Sequence, residues 1–187
     1  MRCYSKSFHS IHFDIQFDKA GYQQFLREQR LSEPQIKYLN IHLITDFTLS
    51  HFKGNDELTA SGAFFKRGRE YIEKHSKTTP AFYRPVNPDN AYAAIFLRPE
   101  KCHMSTDLIN RTFLHETRHH IQHCQNLLCC RSSPGNEVFA SLEWKDQPWE
   151  IDAEQFADKY FCSHTFLRMV PHRLQRSDLQ WMMPHKL

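Results

Sequence analysis

The stretch "FLHETRHHIQHC", residues 113–124, gathers the side chains of this sequence best suited to chemistry. His115 and His119 stand four residues apart. On a helix that spacing places two side chains on one face, one above the other. Two imidazoles so placed can chelate a single divalent ion. Glu116 projects in a neighbouring direction, from which it can reach a water at that ion without being a ligand itself.

Two histidines are not enough. A catalytic zinc site takes three protein ligands and leaves a fourth position open. His123 continues the four-residue row, but it lies about 12 Å along the helix axis from His115, out of reach of the same ion. The longer pattern HExxHxxGxxH is excluded, because Gln122 and Gln125 occupy its Gly and third His positions. Glu150 remains, on a second helical stretch whose apolar stripe is Trp149, Ala153, Phe156, Ala157 and Tyr160. It sits at the edge of that stripe, where a carboxylate faces inward and requires a charge partner. Asp152 and Glu154 lie further from the stripe and rank below Glu150 as ligands. Asp152 can instead orient a ligand histidine. Arg118 is expected to pair with a nearby carboxylate, and His120 and His123 to be ordinary helix-face residues.

The elements that must carry these residues are legible to different degrees. Residues 105–128 run long without Gly or Pro, with Ser105 or Thr106 as cap and Asp107 in the first turn, and predict a helix. Residues 148–161 predict another, with Asp146 near the cap and Pro148 in the first turn. Residues 17–30 predict a helix capped by Asp18. Residues 32–47 predict a second, begun by Ser32 and Pro34. Residues 63–75 read as an irregular strand with Gly68 at a bulge or turn. Residues 78–90, with three prolines, read as a loop, and 91–99 as a short strand stopped by Pro99. Residues 129–147 read as a long connection with a turn at Ser133-Pro134-Gly135. Residues 174–187 are expected to add a short helix.

"HETRH" followed by "EIDAEQFA" resembles the HExxH … ExxAxxFA pattern of the ImmA/IrrE-type zincin-like metallopeptidases, over residues 91–161. The chain carries Arg118 where that family usually has Gly. The resemblance implies one zinc ion held by His115, His119 and Glu150 in the gluzincin manner, with Glu116 as the catalytic glutamate. It implies an α+β zincin-like fold, a small twisted sheet packed on the HExxH helix with additional helices. The activity implied is hydrolysis of peptide bonds. "AYAAIFL" resembles the edge strand that lines a zincin cleft, where an extended peptide substrate would add as a further strand. His123, Tyr92 and Tyr160 are the candidates to steady a developing oxyanion. The alternative is a zincin-fold regulatory or binding module that holds zinc with little or no general proteolysis.

Composition narrows the remaining classes. The chain has 187 residues, enough for one domain with a real core. We expect a single unit over 1–187: a helical N-terminal part (1–60) that packs on the core or covers the cleft, a catalytic core (61–161) and a tail (162–187). A net charge of +3 without basic runs gives no reason to expect nucleic acid. No apolar run approaches a membrane span, and "MRCYSKSFHSIHF" lacks the apolar core of a secretory signal. The expectation is a cytoplasmic protein whose six cysteines, none in a CxxC pair, are reduced thiols.

Overall fold

The computed structural model describes residues 3–4, 13–43, 80–85, 92–102, 105–127 and 137–171. The architecture is α+β. Four strands form one sheet in the order β1-β3-β5-β4: β1 (Cys3–Tyr4), β3 (Leu39–Leu43), β5 (Ala93–Leu97) and β4 (Ala81–Arg84). β1, β3 and β5 run parallel, and β4 pairs antiparallel with β5. A separate antiparallel pair joins β2 (Phe13–Phe17) to β6 (Leu167–Pro171). The helices are α1 (Lys19–Glu28), α2 (Glu33–Lys37), α3 (Thr106–Cys124), α4 (Glu137–Ala140) and α5 (Pro148–Tyr160). None of the described helices is long and apolar enough to cross a membrane.

Helix ends follow the expected chemistry. Asp18 Oδ1 accepts from the Gly21 N–H at 2.9 Å and opens α1. Ser105 Oγ accepts from the Leu108 N–H at 3.3 Å and opens α3. α3 ends where Asn126 turns left-handed (φ 53°), and the Leu127 N–H returns to the Gln122 carbonyl. Asn tolerates that conformation better than most residues. The cap of α5 is Gln147, with Asp146 next to it. The Gln147 side chain donates to the Leu142 carbonyl and fixes the approach to the helix.

The core lies between the sheet and the long helix α3. Along the strands, Ile41, Ile95 and Leu97 are fully buried and belong to one cluster with Ile109, Phe113 and Leu114 of α3. α1 contributes Tyr22, Phe25 and Leu26, and α5 contributes Phe156 and Ala157. Phe113 meets Tyr22 with ring centroids 4.7 Å apart. Its truncation to alanine would destabilise the fold by about 3–5 kcal/mol. The β2–β6 pair is fastened to α3 by Asn110, whose Oδ1 accepts from the Phe166 and Leu167 N–H groups at 2.9 and 2.8 Å.

Four differences from the sequence reading have physical causes. The helix expected over 32–47 stops at Lys37 and gives way to β3. Ile36, Leu39 and Leu43 keep helical spacing while Leu39, Ile41 and Leu43 alternate, and β3 has strand partners on both sides. The proline-rich stretch 78–90 contains β4, with Pro80 and Pro85 just outside it, where a strand tolerates them. β5 is not an edge: it lies between β3 and β4 and all five of its residues are buried. β4 is the edge on that side among the described residues. Finally, the described residues of the N-terminal part are mixed rather than helical, and the tail contributes β6. The strand expected at 63–75, the turn at 133–135 and the helix at 174–187 lie outside the described residues.

Candidate metal centre

α3 and α5 pack against each other and bring the two halves of the motif together. His115 and His119 project from one face of α3, and their Nε2 atoms are 3.1 Å apart. Glu150 enters from the first turn of α5, where the helix dipole favours a carboxylate. Its Oε2 lies 3.2 Å from His115 Nε2 and 3.3 Å from His119 Nε2. All three side chains are largely withdrawn from solvent. Among the described residues, this is the one His/Cys/Asp/Glu group arranged to hold a metal ion.

The triangle has the right size for an ion. With metal–ligand distances of roughly 2.0–2.1 Å, tetrahedral geometry separates ligand atoms by about 3.3–3.4 Å. Three lone-pair atoms at these separations require positive charge among them, supplied by protons or by a metal. The metal-free electrostatics show that demand. Burial opposes charge on His119, yet Glu150, Glu116 and Gln122 outweigh it and raise its pKa to about 9. Burial pushes Glu150 upward, but His115 and His119 draw it down to about 2. A metal ion would take the place of those protons.

Glu116 is buried beside the triangle. Burial raises its pKa against the pull of His119 and His115, and the Tyr83 backbone N–H donates to its carboxylate. Tyr83 belongs to β4, so the outer edge of that strand faces the site.

A polar group lies behind each of the two histidines. Glu154 Oε1 approaches His115 Nδ1 at 3.1 Å, out of line for a hydrogen bond, so this buried nitrogen makes none. Arg111 holds Glu154 at 2.5 Å and Asp158 at 2.8 Å. Gln122 Oε1 lies 2.9 Å from His119 Nδ1. Asp152 does not touch a ligand histidine; it pairs with Arg118 at 2.6 and 3.1 Å and accepts from Gln122 Nε2 at 2.7 Å. Those bonds hold its pKa below the usual value despite partial burial.

The remaining candidates are placed elsewhere. His123 is half-buried with its ring 6.3 Å from that of Tyr83, outside the triangle. Tyr160 packs on Phe25 and Phe156 in the core. Tyr92 is exposed beside Tyr38. Neither tyrosine is a neighbour of the ligand set. Gln122, Tyr83 and Trp144 were missed. Trp144 is mostly exposed and tilts over His115 with ring centroids 6.0 Å apart. For Gln122 a signal existed: it lies three residues after His119, the spacing of a helical neighbour. For Tyr83 and Trp144, on a strand and a loop remote in sequence, there was none. No protein-family model matches the chain, and no curated protein or solved structure is significantly similar to it.

Proposed function

We propose that the chain is a zinc-dependent metallopeptidase with a zincin-like fold, holding one zinc ion on His115, His119 and Glu150. The observation that carries this reading is the convergence of three ligand atoms within 3.1–3.3 Å, with the buried Glu116 beside them. Two histidines and one carboxylate suit zinc, and three protein ligands leave a position for substrate or water. Bound there, zinc supplies Lewis-acid polarisation of a carbonyl and acidifies a water at neutral pH.

The chain's own residues supply the rest. Glu116 accepts a proton from the attacking water as oxygen adds to the peptide carbonyl. It returns that proton to the amine as the C–N bond breaks. The Tyr83 N–H fixes the Glu116 carboxylate. The extended substrate expected along an edge strand would use β4 rather than β5, since β4 has the edge turned toward the site.

The test is a pair of measurements on wild type and Glu116→Gln. Both should contain about one zinc per chain by elemental analysis. Wild type should hydrolyse unfolded protein or a mixed peptide library, and the variant should lose about 10²–10⁴ of that rate. Zinc in both with no hydrolysis in either would instead favour the regulatory module. No zinc in wild type after zinc is added would end the metal reading.

A further inference from the structure

We propose that Gln122 is a positioning residue for the metal centre: its amide oxygen fixes His119 with hydrogen on Nδ1 and aims Nε2 at His115 and Glu150. The proposal rests on the reading that these three side chains hold a metal. It concerns a residue outside the ligand set and outside the resemblance.

The argument comes from the amide's other partners. Gln122 is buried on α3 and reaches across to α5. Its Nε2 donates to the Trp149 carbonyl at 2.9 Å and to Asp152 Oδ2 at 2.7 Å. Both amide hydrogens are thereby used. A flipped amide would set its oxygen against a carbonyl and a carboxylate, two acceptors facing a third. The oxygen must therefore face His119 Nδ1, 2.9 Å away. An amide oxygen only accepts, so Nδ1 carries the hydrogen. The lone pair left for a metal is on Nε2, the atom already within 3.1 Å of His115 Nε2 and 3.3 Å of Glu150 Oε2. Which nitrogen of a histidine binds metal is set by the bond the other makes.

The same amide also locates the third ligand. Trp149 and Asp152 flank Glu150 in the chain, so Gln122 grips α5 on both sides of that residue. Arg118 holds Asp152 with two bonds and lies 5.2 Å over the Phe156 ring. Arg118, Asp152, Gln122 and His119 thus form one row that ends at the candidate ligand.

The experiment uses the full chain as wild type, Gln122→Met and Gln122→Glu, titrated with Zn²⁺ against a competing chelator. The metal-free melting temperature shows that each variant is folded. Met fills the space with only a weak thioether acceptor, and zinc affinity should fall about 10–100-fold. Glu keeps an acceptor for Nδ1 but sets its second oxygen against the Trp149 carbonyl and Asp152, so it should recover only part of that loss. A residue that merely ties α3 to α5 would fail equally in both variants, so equal loss would overturn the proposal. Unchanged affinity in Gln122→Met would also overturn it. A variant-free arm assigns the His119 ring by nitrogen NMR in zinc-loaded wild type, where Nδ1–H is expected and zinc on Nδ1 would overturn the assignment. Wild type that binds no zinc would sink the underlying metal reading, a result distinct from tight binding indifferent to Gln122.

Discussion

His119 and His120 are consecutive residues on α3, and their surroundings could hardly differ more. About 100° of helix rotation turns His119 toward α5 and His120 toward β4 and α2. His119 meets Glu150, Glu116 and Gln122, which raise its pKa to about 9 against the effect of burial. His120 is buried with neutral partners: Tyr83 Oη at 3.1 Å from Nδ1, the Gln35 backbone carbonyl, and Cys124 Sγ at 3.6 and 3.7 Å from its two nitrogens. Burial pushes its pKa down to about 4, with His123 adding to the drop and Gln35 opposing it. Burial is common to both rings, so the partners decide. Carboxylates create a place for a cation, whereas a hydroxyl and a carbonyl consume both ring nitrogens of a neutral histidine.

The largest expected effect breaks this contrast by truncating each ring in turn. His119→Ala removes a ligand atom and should weaken Zn²⁺ binding by more than the roughly 10–100-fold expected of an outer-shell change. His120→Ala should leave zinc affinity within a few-fold of wild type. Its effect should fall on stability instead, by about 2–3 kcal/mol, because it opens a buried site and strips partners from Tyr83 and Gln35. Chelator competition and thermal melting of the two variants separate these outcomes. Equal zinc loss in both would show that the two environments are not functionally distinct.

The two histidines should also bend the pH profile of the metal-free protein in opposite directions. His120 has a folded pKa below its unfolded value near 6.5, so the unfolded chain takes up the proton first on acidification. Stability should then fall by up to about 3 kcal/mol on its account as pH drops from 6.5 to 4. His42, also buried with its pKa lowered to about 4, adds a contribution of the same sign. His119 has a folded pKa above its unfolded value. Its contribution is fully present below about 6.5 and is lost as pH rises through about 9. Glu150, lowered to about 2, contributes above about 4.5 and loses that contribution as pH falls toward 2. Urea melts with a chelator present, for wild type and His120→Gln, check the acid limb. An unchanged acid slope in the variant would remove His120 from the account.

What could be read from the amino-acid order follows how local each cause is. α1, α3 and α5 were visible because caps, apolar spacing and the lack of interior breakers are local signals. The assembly of His115, His119 and Glu150 was visible because two helical periodicities fix which side chains turn inward. β3 was hidden because "YLNIHL" fits two periods, and pairing with β5, about fifty residues on, decides between them. β5 was read as an edge although its run "AAIFL" is uniformly apolar, the mark of a strand buried on both faces. Asp152 was expected behind a ligand histidine; it acts at one remove, through Gln122, because Arg118 draws its carboxylate away.

The smallest expected effect tests the residue that joins the two environments. Tyr83 serves the candidate site through its backbone N–H, which donates to Glu116, and serves His120 through its hydroxyl. Tyr83→Phe removes only the hydroxyl. His120 Nδ1 loses its oxygen donor, but Cys124 Sγ remains 3.7 Å away and offers a weaker one. The expected loss is therefore about 1 kcal/mol, within the range for one buried neutral hydrogen bond. Zinc affinity and any peptide hydrolysis should stay at wild-type levels, since the main chain of β4 still holds Glu116. If Tyr83→Phe lowered hydrolysis without lowering stability, the hydroxyl would belong to the reacting region, and the boundary drawn between His119 and His120 would have to move.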